Sequence, residues 1–381
     1  MTYATDRTYF DADSHIMELH GWLASYADPG VREQLRPLYL GGGGGKLAED
    51  AVAAAEARRG DPAAAVALEE RLMHAKGWGA LGAFDPAERS RALDLLGFDR
   101  QLVFSTFAAT QFVSRDLDLL YGGARALNRA MADFCHDDPR LLAVAHVPLE
   151  DPERAVRAID EAIGFGCKAM LVPSTAPREK SPSHSDYDHV WGRLADTGIP
   201  FMLHIGGGGR LTDPVFHSNG RPVTDFLGGG ENIRSKDYMS IHHSPETFLS
   251  VLVLDGVFER FPGLRGGCIE QGAMWVVPWL RRLDIAQDTF ARTEPALKMP
   301  LRASDYVHRQ LWFTPFPTEP VGWMIDQSGD DLFLFSSDYP HPEGGRDPLG
   351  RFNSSLTGAS PEAVERFYSS NFAEMMGPAM G

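Results

Sequence analysis

The sequence predicts a closed (β/α)8 barrel of the TIM type, carrying an insertion after its first strand. Three observations lead there. Eight short β-rich apolar runs recur along the 381 residues, several of them near-continuous, as parallel strands covered on both faces must be. Capped segments with apolar residues at i, i+3 and i+4 lie between them. The length suits one large barrel domain, here 1–381, with a doubly wound open sheet as the competing arrangement.

The first run is TYFDADSH (8–15). Residues two apart on a strand share a face, so Asp13 and His15 converge, with Asp11 one step below. Two carboxylates beside an imidazole need a cation or hydrogen-bond donors to offset lost hydration. A helix N-cap at Asp13 or Ser14 is the plainer alternative. RQLVFSTF (100–107), LLAVAHVPL (141–149), KAMLVPS (168–174), PFMLHIG (200–206), RGGCIEQ (265–271), HRQLWFTPF (308–316) and LFLFSSD (332–338) follow. Among the helices, DPERAVRAIDEAIGFG (151–166) has Asp151 as N-cap, Pro152 at N1 and glycine near its end. SDYDHVWGRLADTG (185–198) ends in Gly198, and SPETFLSVLVLDGVFERFPG (244–263) reads as one helix stopping before Pro262.

Residues 16–99 exceed a simple βα unit and read as a mostly helical insertion. GGGGGK (41–46) reads as a flexible hinge or surface loop, followed by the Ala-rich helical stretch AEDAVAAAEARR (48–59). A Gly-rich loop at 205–233 follows the fifth run. Both segments leave strand C-terminal ends and are expected to cover the barrel mouth. The GGGG runs lack the Lys-Ser/Thr ending of a phosphate loop.

A formal charge of −16 and the lack of a basic stripe exclude a nucleic-acid partner. Cys135, Cys167 and Cys268 are odd in number and scattered, which suits buried thiols in a reducing compartment. No signal-peptide core and no membrane-length apolar run occur, so a cytoplasmic protein without membrane partners is expected. A small-molecule substrate and a homodimer or other oligomer are the expected partners.

Barrel enzymes place their chemistry at strand C-terminal ends. His15, His204, Glu270 and Asp338 each fall late in or just after a run. Four such groups at equivalent positions point to a metal site or a general base, with donors suited to Zn, Mn or Fe. Trp78, Phe107, Phe112, Trp275 and Phe316 are candidates to shape an apolar pocket, although most of them are expected in the core, and Arg210 or Arg234 are candidate cations for an anionic substrate.

DADSH, IPFMLHIG, GVFERFPGLRGGCIEQGAMWVVPWLRRLD, LFLFSSDYPHPEG and SPEAVERFYSSNFAEMMG together resemble the amidohydrolase-related branch of the amidohydrolase superfamily that includes aminocarboxymuconate-semialdehyde decarboxylase. The resemblance implies a (β/α)8 barrel and a divalent metal held by position 13, His15, His204 and Asp338. The chain departs from it twice. Asp13-Ser14-His15 replaces a His-x-His motif, and Glu270 stands where many members have His. Each carboxylate adds negative charge, which favours a harder or a second cation. His242 and His243 offer further imidazoles on the same side, His341 a partner that orients Asp338, and Lys168 a metal-bridging amine known from some relatives.

The expected function is a metal-dependent hydrolase or decarboxylase-like lyase acting on a small carboxylate- or carbonyl-containing substrate. One or two divalent ions would activate water, with Asp338 or Glu270 as general base. A dinuclear iron or manganese oxygenase, with Glu270 and His243 on the second ion, is one alternative. A catalytically inactive barrel serving as a binding or assembly subunit is the other.

Overall fold

A computed structural model describes residues 2–207, 211–221 and 234–381. Its strands are β1 (Phe10–Asp11), β2 (His15–Ile16), β3 (Arg100–Ser105), β4 (Leu141–His146), β5 (Ala169–Leu171), β6 (Phe201–His204), β7 (Gly266–Ile269) and β8 (Leu311–Phe313). All pair in parallel: β3 to β8 in chain order, with β1 and β2 both on β3. β1 and β2 are two pieces of one interrupted strand.

The last apolar run closes the ring. On one side the Phe313 N–H donates to Leu332 C=O (2.8 Å) and the Leu334 N–H to Phe313 C=O (2.9 Å). On the other, Ala12 donates to Phe335 (3.0 Å), Asp338 to Asp13 (2.9 Å) and His15 to Tyr339 (2.8 Å). With β1–β2 as one strand and 332–339 as another, all eight apolar runs are barrel staves, and the predicted (β/α)8 fold is present.

The covering helices follow local chemistry. Helix Pro152–Phe165 starts at Asp151, whose side chain accepts from the Arg154 N–H, and ends at left-handed Gly166. Helix Asp188–Thr197 ends at Gly198 in the same way. The expected single helix over 244–263 is instead two, His243–Leu254 and Val257–Arg260, because Gly256 between them adopts φ 72°. Among the described residues no helix is long and apolar enough to cross a membrane.

The insertion contains helices Trp22–Tyr26, Pro29–Arg32, Gly41–Arg58, Pro62–Glu69 and Pro86–Leu96. GGGGGK therefore opens a helix rather than forming a hinge. Each glycine costs about 1 kcal/mol there, but the alanine-rich remainder propagates the helix. Close packing also asks for glycine at position 44, where a Cβ would lie 2.9 Å from Leu40 Cβ and 3.1 Å from the Trp78 ring. From helix Pro86–Leu96 the fully buried Arg89 donates to Gly82 C=O (2.8 Å), to Gln101 Oε1 (3.3 Å) and to the His15 carbonyl. The insertion thus fastens the first strand from outside.

Asp11 fastens it from inside. Its buried carboxylate accepts from Gln101 Nε2 (2.8 Å), the Ser337 N–H (2.8 Å) and Ser337 Oγ (2.6 Å), joining the first, second and last staves. Asp11→Ala leaves these donors unpaired and should cost on the order of 3 kcal/mol. Urea unfolding of the variant beside wild type measures that loss.

Candidate metal centre

Five side chains from four staves meet at the C-terminal mouth. His15 lies in β2, His204 ends β6, Glu270 follows β7, and Asp338 lies in the closing segment. Asp13 lies two residues before the start of β2, and all five are buried. His15 Nε2 lies 3.2 Å from Asp13 Oδ1, 3.7 Å from Asp338 Oδ1 and 3.9 Å from Glu270 Oε2. His204 Nε2 lies 3.4 Å from Asp13 Oδ1 and 3.3 Å from Glu270 Oε2.

Glu270 and Asp338 have φ of 55° and 51°, two of only four non-glycine residues with positive φ among those described. Such backbone costs on the order of 1–3 kcal/mol and persists where its surroundings over-determine it. Around Glu270, its N–H donates to Thr314 Oγ1 (2.9 Å), and Glu319 accepts from the N–H groups of Ala273 (2.9 Å), Met274 (3.0 Å) and Phe316 (2.8 Å). Around Asp338, His341 Nδ1 approaches Oδ1 at 3.1 Å, and His341 Nε2 contacts Thr106 Oγ1 at 3.0 Å. Glu18 in turn fixes the Thr106 loop by accepting from Ser105 Oγ (2.7 Å) and the N–H groups of Thr106 (2.9 Å) and Phe107 (3.0 Å).

This donor set fits a divalent cation. Neither ring nitrogen of His15 nor either oxygen of Asp338 makes a hydrogen bond of good geometry, although all four atoms are buried. Buried polar atoms left so cost about 1–3 kcal/mol each and call for a further partner. Donors about 2.1 Å from one ion stand roughly 3.0–3.4 Å apart at octahedral or tetrahedral angles, close to the separations here.

Without a cation the titrating groups are pulled in opposite directions: burial lowers the His204 pKa, but Asp13 beside the ring outweighs burial and raises it. Burial opposes ionisation of Asp13, but the His15 and His204 imidazoles beside its carboxylate outweigh burial and hold its pKa low. Burial, with the neighbouring His341 charge, pushes the His15 pKa down to about 3, which leaves the neutral ring that binds metals. Burial, then the Asp13 charge, raises the Asp338 pKa well above the usual carboxylate range.

The predicted residues divide here. Asp13, His15, His204 and Glu270 form one group of ligand atoms, and His15, Glu270, Asp338 and His341 a second that shares two members. His243, expected at a second ion, belongs to neither. It is exposed at the first position of its helix, off the face buried through Phe248, Leu249 and Leu252, and its ring lies against His242. Lys168 Nζ donates to Gly381 C=O (2.6 Å), so it bridges no metal. Arg210 falls outside the described residues, as do 208–209 and 222–233 of the Gly-rich loop.

A cavity of about 400 Å³ opens beside His204 over the ends of β3 to β6, walled by Phe104, Val144, Leu171 and Val172 with Thr106 and His146 among its polar groups. None of the five candidate aromatics lines it; four of them, Trp78, Phe107, Phe112 and Trp275, are in the core, as expected of most of the set. Sequence reasoning also missed Lys76, whose amine is buried without a hydrogen bond. Burial draws its pKa down to about 8 against the opposing charges of Asp338 and Glu343. Its insertion segment docks on the closing loop through the Gly77 N–H to Pro340 C=O (2.9 Å), a contact no spacing announces.

The family profile described as amidohydrolase matches residues 11–377. No curated protein matches the chain. Among solved structures, an amidohydrolase from Mycobacterium avium subsp. paratuberculosis K-10 is 21% identical with a TM-score of 0.73, covering 98% of this chain and all of that one. A dihydroxybenzoic acid decarboxylase from Polaromonas sp. JS666, with bound manganese and 2-nitroresorcinol, is 17% identical with a TM-score of 0.63, covering 97% of each chain. A 5-carboxyvanillate decarboxylase from Novosphingobium aromaticivorans DSM 12444, with bound manganese, is 19% identical with a TM-score of 0.61, covering 77% of this chain and 82% of that one.

His15→Ala and His204→Ala should each lose bound metal while far-ultraviolet circular dichroism stays that of the wild type. His243→Ala should keep full metal content. Elemental analysis of the three variants checks the donor set, and metal loss in the His243 variant would contradict it.

Proposed function

The chain belongs to the amidohydrolase family, and from that premise we propose that it is a metal-dependent lyase removing a carboxylate from a small, ring-sized acid. The observation that carries this reading is a buried cluster of imidazole and carboxylate donors, one of which, His204, lines a largely apolar cavity. Apolar walls suit a hydrocarbon ring better than a peptide or a phosphate ester. Similarity to decarboxylases of substituted aromatic acids supports the same direction.

One ion accounts for the donors. His15 Nε2 faces Asp13, Glu270 and Asp338 alike, so the two groups of ligand atoms describe one centre, with His341 orienting Asp338. Asp13, His15, His204 and Asp338 would hold a manganese, zinc or iron ion. When bound, that ion anchors and polarises a substrate oxygen and lowers the pKa of water. Lys76 offsets part of the charge of the three carboxylates, which eases entry of an anionic acid. The cavity walls hold the ring and exclude water. The carbon–carboxylate bond breaks, its electron pair stays on the ring carbon, and CO2 leaves. Glu270, 3.3 Å from His204 Nε2, holds the proton that this carbon takes up.

With an accepted acid, one CO2 should appear per substrate and no oxygen should be consumed. Oxygen uptake would instead favour an iron or manganese oxygenase. Glu270→Gln should keep its metal while kcat falls by a factor of about 10² to 10⁴. Coupled CO2 assay, oxygen electrode and elemental analysis of the variant decide this together, and loss of metal from it would place Glu270 among the ligands.

A further inference from the structure

His146 is a polar group of the cavity that the chemistry above leaves unused. It ends β4, and its ring lines the same cavity as His204. Asn128 clamps its backbone from both sides: Oδ1 accepts from the His146 N–H (2.7 Å) and Nδ2 donates to its C=O (3.1 Å). Phe112 meets the ring edge to face at 5.6 Å. The imidazole is thus held in place, yet among the described residues neither ring nitrogen has a hydrogen-bond partner. Nδ1 is sealed off, so Nε2 is the nitrogen left to meet the cavity.

The tautomer follows from the cost of each alternative. A buried N–H without an acceptor is rarer and costlier than a buried lone pair without a donor. The sealed Nδ1 therefore carries the lone pair and Nε2 the proton. Burial pushes the ring pKa down to about 4, so the imidazole is neutral near pH 7 and places a donor, not a charge, in the cavity.

Register sets the distance. His146 pairs with Leu171 across one strand boundary and Leu171 with Met202 across the next, two residues before His204. Two strand spacings put the β6 side of the site on the order of 10 Å from His146. A single ring with groups at opposite ends has that reach, once a metal–oxygen bond of about 2 Å and a hydrogen bond of about 2.8 Å are added.

We propose that His146 is a specificity residue whose Nε2–H reads an oxygen substituent at the far end of the substrate, so that the preferred ligand is a ring acid bearing a hydroxyl opposite its carboxylate. The assignment rests on the acid-binding reading of the cavity. A site built to hydrogen-bond such an oxygen rejects the analogue lacking it, because its buried donor is then left unpaired.

Calorimetric titration of the metal-replete protein with benzoate and 4-hydroxybenzoate tests this in wild type, His146→Phe and His146→Gln. Wild type should bind 4-hydroxybenzoate at least tenfold tighter than benzoate. His146→Phe, which keeps an aromatic ring against Phe112, should erase the preference by weakening the hydroxylated acid alone. His146→Gln, which keeps an N–H donor, should retain part of it. A preference that survives in His146→Phe, or equal affinities in wild type, overturns the His146 assignment and leaves the acid-binding reading standing. Failure of wild type to bind either acid overturns both.

Discussion

Three buried carboxylates facing two imidazoles across less than 4 Å are the constraint on which this barrel is built. Such a group has no reason to stay together in a low-dielectric mouth unless a cation joins it. The costs around it run in one direction. Glu270 and Asp338 hold strained backbone, Asp338 and His15 leave buried polar atoms without good hydrogen bonds, and Lys76 keeps an amine out of water. Asp11, Glu18, Arg89 and Glu319 then serve as braces. Each commits a buried carboxyl or guanidinium group to backbone N–H or C=O groups next to the cluster, so that the donors cannot relax apart.

The same constraint explains how the insertion takes part. Arg89 reaches the first strand through the His15 carbonyl, and Lys76 brings a positive charge towards Asp338. A segment that looks additional to the barrel thereby completes the electrostatics of its mouth. The apolar cavity supplies what the charged cluster lacks, a dry surface on which a ring can lie. Within it His146 offers a neutral ring donor, two strands from His204.

Much of this was legible in the sequence because strands announce themselves by apolar runs and barrels place their chemistry where those runs end. Asp13, His15, His204, Glu270 and Asp338 could be named on that basis, and all eight runs are staves. What escaped depends on tertiary contact. His146 looked like one imidazole in a core strand until its unpartnered ring met a cavity. Lys76 sits in a stretch without periodicity, and its role follows from docking on the Pro340 loop. GGGGGK read as a hinge by propensity, yet packing of Gly44 on Trp78 and the alanines after it made a helix. His243 was drawn to the site by its place in the chain, and the helix it opens turns it to the surface.

Anomalous diffraction from a manganese-soaked crystal tests the central claim most directly. The account predicts one strong peak among His15 Nε2, His204 Nε2, Asp13 and Asp338, about 2.0–2.3 Å from the nearest donor atoms. No peak there, or manganese found only at surface carboxylates or beside His243, would contradict it.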